Sequence, residues 1–138
     1  MKCKIIYLSL LLSVFAAGCA KQIPVAPDPQ GTFTGQFTRI RLNKNGKLDT
    51  AYANLQLTVQ AATGYSITGD TSTIHAGSFG SYQFGGNLVA FLDKTYPTTG
   101  KAAKIHLAGT YQYSFDGLNF IIVGSTDSLG LIYNLKKI

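Results

Sequence analysis

The chain has 138 residues, of which 46% are apolar, 12% aromatic and 13% charged, and 12 Lys and Arg against six acids give a formal charge of +6. This composition excludes an intrinsically disordered chain, and the length fits a single domain. All six acids are Asp, and His75 and His106 are the only imidazoles, so acid–base or metal chemistry has little to work with.

The first element in chain order is a processing segment. Lys2 and Lys4 precede an apolar run of 13 residues, Ile5 to Ala17, and small residues then lead to Cys19. That run is shorter than the roughly 20 residues of a membrane-spanning helix. The stretch "AAGC" with these flanks resembles the bacterial lipoprotein signal. The resemblance implies cleavage before Cys19, a diacylglycerol on its thiol and acylation of the new amino terminus. It divides the chain into a signal peptide (1–18), a lipidated cysteine with a Pro-rich tether (19–30) and a folded domain (31–138). Ala20 stands where an Asp would favour the inner membrane, so the same resemblance implies a cell-envelope protein anchored in the outer membrane. With Cys3 removed and Cys19 lipidated, no thiol remains for a disulfide, and the domain must fold on its core alone. Loss of Lys2 and Lys4 lowers the charge to +4, a modest balance that serves solubility or, as the alternative, attraction to anionic headgroups or polysaccharide; at that address nucleic acid is not an expected partner. Pro24, Pro27 and Pro29 make the tether an extended spacer.

From Gly31 onward the pattern is strand after strand. In "FTGQFTRIRLNKNG", Phe33 and Phe37 share one parity and Ile40 and Leu42 the other, so the face of Arg39 depends on the register of the first hairpin. A two-residue Asn45-Gly46 turn with a bulge near Thr38 and Arg39 buries Ile40 and Leu42 and solvates both Arg39 and Arg41; this is the expected arrangement. A three-residue loop, Lys44-Asn45-Gly46, instead pairs Leu42 with Leu48 and aims Arg39 and Arg41 into a barrel mouth. There a guanidinium fork could hold the carboxylate or phosphate of an amphiphile.

"ANLQLTVQA" places Leu55, Leu57 and Val59 on one face of a second strand. Tyr65 to Thr68, Ser78 to Phe84 and Leu88 to Asp93 read as further strands. "TIHAGSFG" reads as a strand, a bulged edge or a flap, and "DKTYPTTGKAA" as the longest connection. "AKIHLAGTYQYSF" alternates throughout, with His106 on its polar face, and Asp116-Gly117 is a two-residue hairpin signal that pairs Phe115 with Leu118. The strand after that turn is also apolar on its second face, at Ile121 and Val123. A last strand, Leu129 to Leu135, alternates again. About eight strands with mostly hairpin-length connections predict an all-β, eight-stranded antiparallel up-and-down barrel, with a two-sheet β-sandwich as the alternative.

The opening "GTF" at Gly31, Thr32 and Phe33, with a meander ending in "GTYQYSFDGLNFII", resembles the lipocalin-like, or calycin-like, barrel lipoproteins of bacterial envelopes. The resemblance implies binding of a small apolar or amphiphilic ligand inside the barrel. The candidate lining is Phe33, Phe37, Phe91, Tyr111, Tyr113, Phe120 and Tyr133, with Phe84 beside them and Arg39 and Arg41 as anion contacts. The alternative is a structural or protein-interaction lipoprotein whose barrel is filled. Five of the six Asp residues, Asp49, Asp70, Asp93, Asp116 and Asp127, fall at or beside predicted turns, where they cap the backbone, and both histidines are expected at the surface. No enzyme, metal or cofactor is expected.

Overall fold

A computed structural model of the chain describes residues 28–138; the segment expected to be a signal peptide, Cys19 and most of the expected tether lie outside the described residues. Eight strands follow in order: β1 (Gly31–Leu42), β2 (Leu48–Gln60), β3 (Gly64–Gly69), β4 (Phe79–Gly85), β5 (Leu88–Asp93), β6 (Gly109–Phe115), β7 (Asn119–Thr126) and β8 (Leu129–Lys137). Each pairs antiparallel with the next, and β1 pairs with β8, so the sheet closes into an up-and-down barrel. Closure removes both sheet edges, which would otherwise offer unpaired backbone groups to another chain. It also gives every strand one inner and one outer face, matching the period-two alternation read in the second and last strands.

The register of the first hairpin departs from expectation. β1 and β2 pair without a bulge, with Leu42 opposite Leu48, Arg39 opposite Ala51, Phe37 opposite Ala53 and Phe33 opposite Leu57. The loop is Lys44-Asn45-Gly46: the Asn43 amide donates to the Lys47 carbonyl at 2.9 Å, and Gly46 has φ +72°. Its amide donates to the Asn43 carbonyl, while the Asn43 side chain accepts from the Asn45 and Lys47 amides. These bonds hold the longer loop, and a two-residue turn of the primed type would need positive φ at Asn45 as well. Ile40 therefore faces outward, Leu42 is exposed, and Arg39 lies on the inner face with Phe33 and Phe37.

Two further segments differ from the sequence reading. Phe115 pairs with Phe120 rather than Leu118, because the Asp116 carboxylate accepts the Leu118 and Asn119 amides and widens the connection. Leu118 thereby sits at the tip of a turn, 46% exposed. The strand expected from Lys104 starts only at Gly109, whose φ of +96° breaks the extended run. Residues 104–108 lie across one end of the barrel instead. His75 and Ile105 form an isolated parallel bridge, with Ala76 donating to the Ile105 carbonyl and Ile105 donating to that of Ile74. The two long connections, β3–β4 and β5–β6, are thus tied together over the end that also carries the β1–β2 hairpin.

Candidate functional site

The seven residues proposed to line a pocket all face inward, and they meet one another. Phe33, Phe37, Phe120 and Tyr133 have no exposure, Phe91 and Tyr111 are buried, and Tyr113 is half-buried. Their rings form two contact groups, Phe33 with Phe120 and Tyr113 towards one end, and Phe37, Tyr133, Tyr111 and Phe91 towards the other. Phe33 lies 5.2 Å from Phe120, Phe37 4.7 Å from Tyr133, Tyr111 6.2 Å from Tyr133, and Phe91 6.0 Å from Tyr111. Edge-to-face and tilted pairs at such spacings are the favoured arrangements of aromatic side chains. An eight-stranded barrel is narrow enough for side chains to fill, and here they do. Tyr111 packs so closely on Gly124 that a Cβ there would lie 2.6 Å from its ring.

At the hairpin end, the interior is closed by a side chain from outside the strands. His75 is completely buried, stacked edge-on to Phe37 at 4.8 Å, with Nε2 2.9 Å from the Tyr133 hydroxyl. Its Nδ1 lies 2.6 Å from the Ala76 carbonyl, which can only accept. Nδ1 therefore carries the proton, and Nε2 accepts from Tyr133. Burial lowers the imidazole pKa to about 4 and raises that of the Tyr133 phenol well above its ordinary range. A surface histidine was expected; the parallel bridge at Ile105 turns His75 inward as a peg.

His106 is likewise not a surface residue. Its Nδ1 donates to Asp93 Oδ2 at 2.7 Å, and Asp93, whose side chain is wholly buried, also accepts from the Thr95 amide and hydroxyl. Tyr96 packs edge-on to the imidazole at 5.2 Å. Beneath this pair, the Tyr65 hydroxyl donates to the Leu107 carbonyl, and Ser78 accepts the Leu107 amide. Burial, and then the charge of Asp93, raise the Tyr65 pKa. The network satisfies the amide and carbonyl of Leu107, in a segment that belongs to none of the eight strands. Every polar group named in it is committed to the fold, and among the described residues no cluster of three metal-ligating side chains occurs.

Arg39 completes the same end. Nη2 donates to Asp49 Oδ2 at 2.7 Å, so Asp49 serves as an ion-pair partner rather than a turn cap. The side chain is 17% exposed, and among the described residues its buried Nε has no hydrogen-bond partner. Arg41 points the same way but lies further out, exposed.

The opposite end is where the chain enters β1 from residues 28–30, and it is built differently. The β2–β3, β4–β5 and β6–β7 turns surround the first residues of β1 and the last of β8. β3 and β4 pair only at Tyr65–Gly80 and Ser66–Phe79 and then separate. Gln30 spans the gap: its Nε2 donates to the Tyr82 hydroxyl at 2.7 Å, and its Oε1 accepts the Ala61 amide at 3.0 Å. The gap is an open groove of about 600 Å³ lined by Asp28, Gln30, Thr63, Tyr82, Phe84 and Lys94, among others. Tyr82, Phe84, Tyr113 and Phe115 are half-buried around this rim. Partial burial, and then the charge of Asp28, raise the Tyr113 pKa. Leu118 projects beyond them, as does Ile138, which is 70% exposed. Hydrophobic alternation placed the rings inside, but the β3–β4 separation had no sequence signal, since it depends on where two distant strands diverge. No family model, curated protein or solved structure matches this chain.

Proposed function

We propose that the chain is a lipid-anchored protein of the cell envelope, non-enzymatic, that acts through the ends and outer face of a filled barrel. The observation that carries this reading is the occupied interior: the side chains that would line a pocket pack against each other, and His75 closes the space between them. The anchoring part rests on Cys19 and its flanks, and the outer-membrane assignment on Ala20. Two signals, acyl chains and a rim of apolar and aromatic groups, suit stable membrane association better than one. The His75–Tyr133 and His106–Asp93 pairs support a non-enzymatic role, since they are engaged with each other and with the backbone of the cap. Native mass spectrometry of the protein released from membranes, before and after denaturing extraction, tests the reading. The expected result is an acylated Cys19 amino terminus and no small molecule that leaves on denaturation.

A second reading, binding of a small amphiphilic ligand, draws support from the groove between β3 and β4. Its volume lies in the usual range of ligand sites, with Tyr82 and Phe84 as apolar contacts and Gln30 and Lys94 as polar ones. A bound apolar molecule in the same measurement, lost on Phe84→Ala, would favour it. The filled interior limits such a ligand to the rim, away from Phe37, Phe91 and Tyr133.

A further inference from the structure

We infer that the tether-side rim of the barrel is a docking surface for the lipid bilayer, which holds the molecule upright with its basic hairpin end pointing away from the membrane. The inference rests on the lipid anchor proposed above and goes beyond it, because a tether alone sets no orientation. The rim combines half-buried aromatic rings at Tyr82, Phe84, Tyr113 and Phe115 with exposed aliphatic tips at Leu118 and Ile138. The apolar surface continues onto the outer wall next to it, through Leu88 on β5 and Ile121 on β7. Aromatic rings that expose one polar edge are the side chains that favour the headgroup region, and each aliphatic tip gains by leaving water. Lys136 and Lys137, exposed at the end of β8, would stand at headgroup level.

The occupant is decided by where the chain enters. Asp28 and Gln30 lie in the groove at this rim, and Cys19 is nine residues before Asp28 in sequence. Fully extended, nine residues reach at most about 32 Å. A bilayer that holds the acyl chains of Cys19 is therefore the nearest large apolar phase to these rings. The opposite end is more highly charged: Arg41, Lys44 and Lys47 lie on the β1–β2 hairpin and Lys101 and Lys104 in the neighbouring connection, so its exposed apolar side chains, Leu42, Leu48 and Tyr96, share their segments with cations. Charged groups there would carry a large desolvation cost in an apolar phase, so the apolar rim is the end that can approach.

The chain contains no tryptophan, which makes a single introduced indole a clean depth probe. Full-length lipidated protein carrying Leu118→Trp or Leu48→Trp, both at exposed turn-proximal positions, would be reconstituted into phosphatidylethanolamine/phosphatidylglycerol vesicles containing bromolipids. The expected result is co-flotation of both, with Leu118→Trp blue-shifted and quenched several-fold more than Leu48→Trp. Hydrogen exchange of the unsubstituted chain on the same vesicles provides a second measurement. Slowing at the turns 61–63, 86–87 and 116–118 is expected, with none at 43–47. Flotation with equal quenching of the two probes and no local slowing overturns the docking and leaves the anchor standing. Failure to float overturns both.

Discussion

His75 is the residue on which the hairpin end depends, and its effect on stability has a definite sign. In the unfolded chain the imidazole takes up a proton near its ordinary value of 6.5, whereas burial in the barrel lowers that value to about 4. Between these pH values the unfolded state binds more protons, so the neutral peg stabilises the fold fully above 6.5 and loses that contribution as pH falls towards 4. The contribution at stake is roughly 3 kcal/mol. Urea unfolding between pH 7 and pH 4 should show this slope in the native chain, and His75→Phe should flatten it; parallel slopes would refute the assignment. Arg39 supports a second prediction. Asp49→Ala leaves a largely buried guanidinium without its partner and should cost about 1–3 kcal/mol. Arg39→Met removes the unpartnered Nε and leaves an exposed carboxylate, and should be close to neutral. Equal losses in denaturant midpoint would show that the pair acts only through its Coulomb attraction.

At the scale of the element, alternation was legible wherever one strand repeated a clear period. Leu55, Leu57 and Val59 in β2, and Leu131, Tyr133 and Leu135 in β8, face inward as their spacing predicts. What the sequence left open was decided by loops. In β1 the two parities could not be resolved from the strand itself, because a change of one residue in the turn exchanges its faces. The burial preference of Ile40 and Leu42 pointed to a bulge, but the Asn43 side chain and a left-handed Gly46 set the longer loop. Gly46 therefore holds the register, and Arg39 inside with it. Gly46→Val should destabilise by about 1–2 kcal/mol through strain at its positive φ, and Gly46→Asn by clearly less, in equilibrium unfolding. The peg at His75 was not legible for a different reason. Its direction depends on a bridge to Ile105, 30 residues away in a segment whose alternation imitates a strand. Gly109 ends that imitation, and only its positive φ, invisible in the hydrophobic pattern, distinguishes the cap from β6.

Across the whole molecule, the question is whether the barrel is a container or a solid, and Phe120 is the place to ask it. Its ring has no exposure and lies 5.2 Å from Phe33, 5.8 Å from Tyr113, 6.0 Å from Phe115 and 6.3 Å from Phe84, so it joins the buried interior to the rim. A container would tolerate loss of one lining ring, since the space around it is already shared with solvent or ligand. A solid would not: Phe120→Ala removes the transfer free energy of the ring and leaves a cavity that closed strands cannot collapse to fill, at a cost of about 3–5 kcal/mol. That cavity would be apolar, bordered by Phe33, Phe84, Phe115 and Leu135, and dry. The native chain should therefore take up no benzene or xenon in NMR titration, whereas Phe120→Ala should bind either one and recover part of its lost stability in proportion to the probe concentration. Uptake by the native chain, with a Phe120→Ala loss below about 1 kcal/mol, would instead identify the barrel as a container and return the aromatic lining to the role of a ligand site.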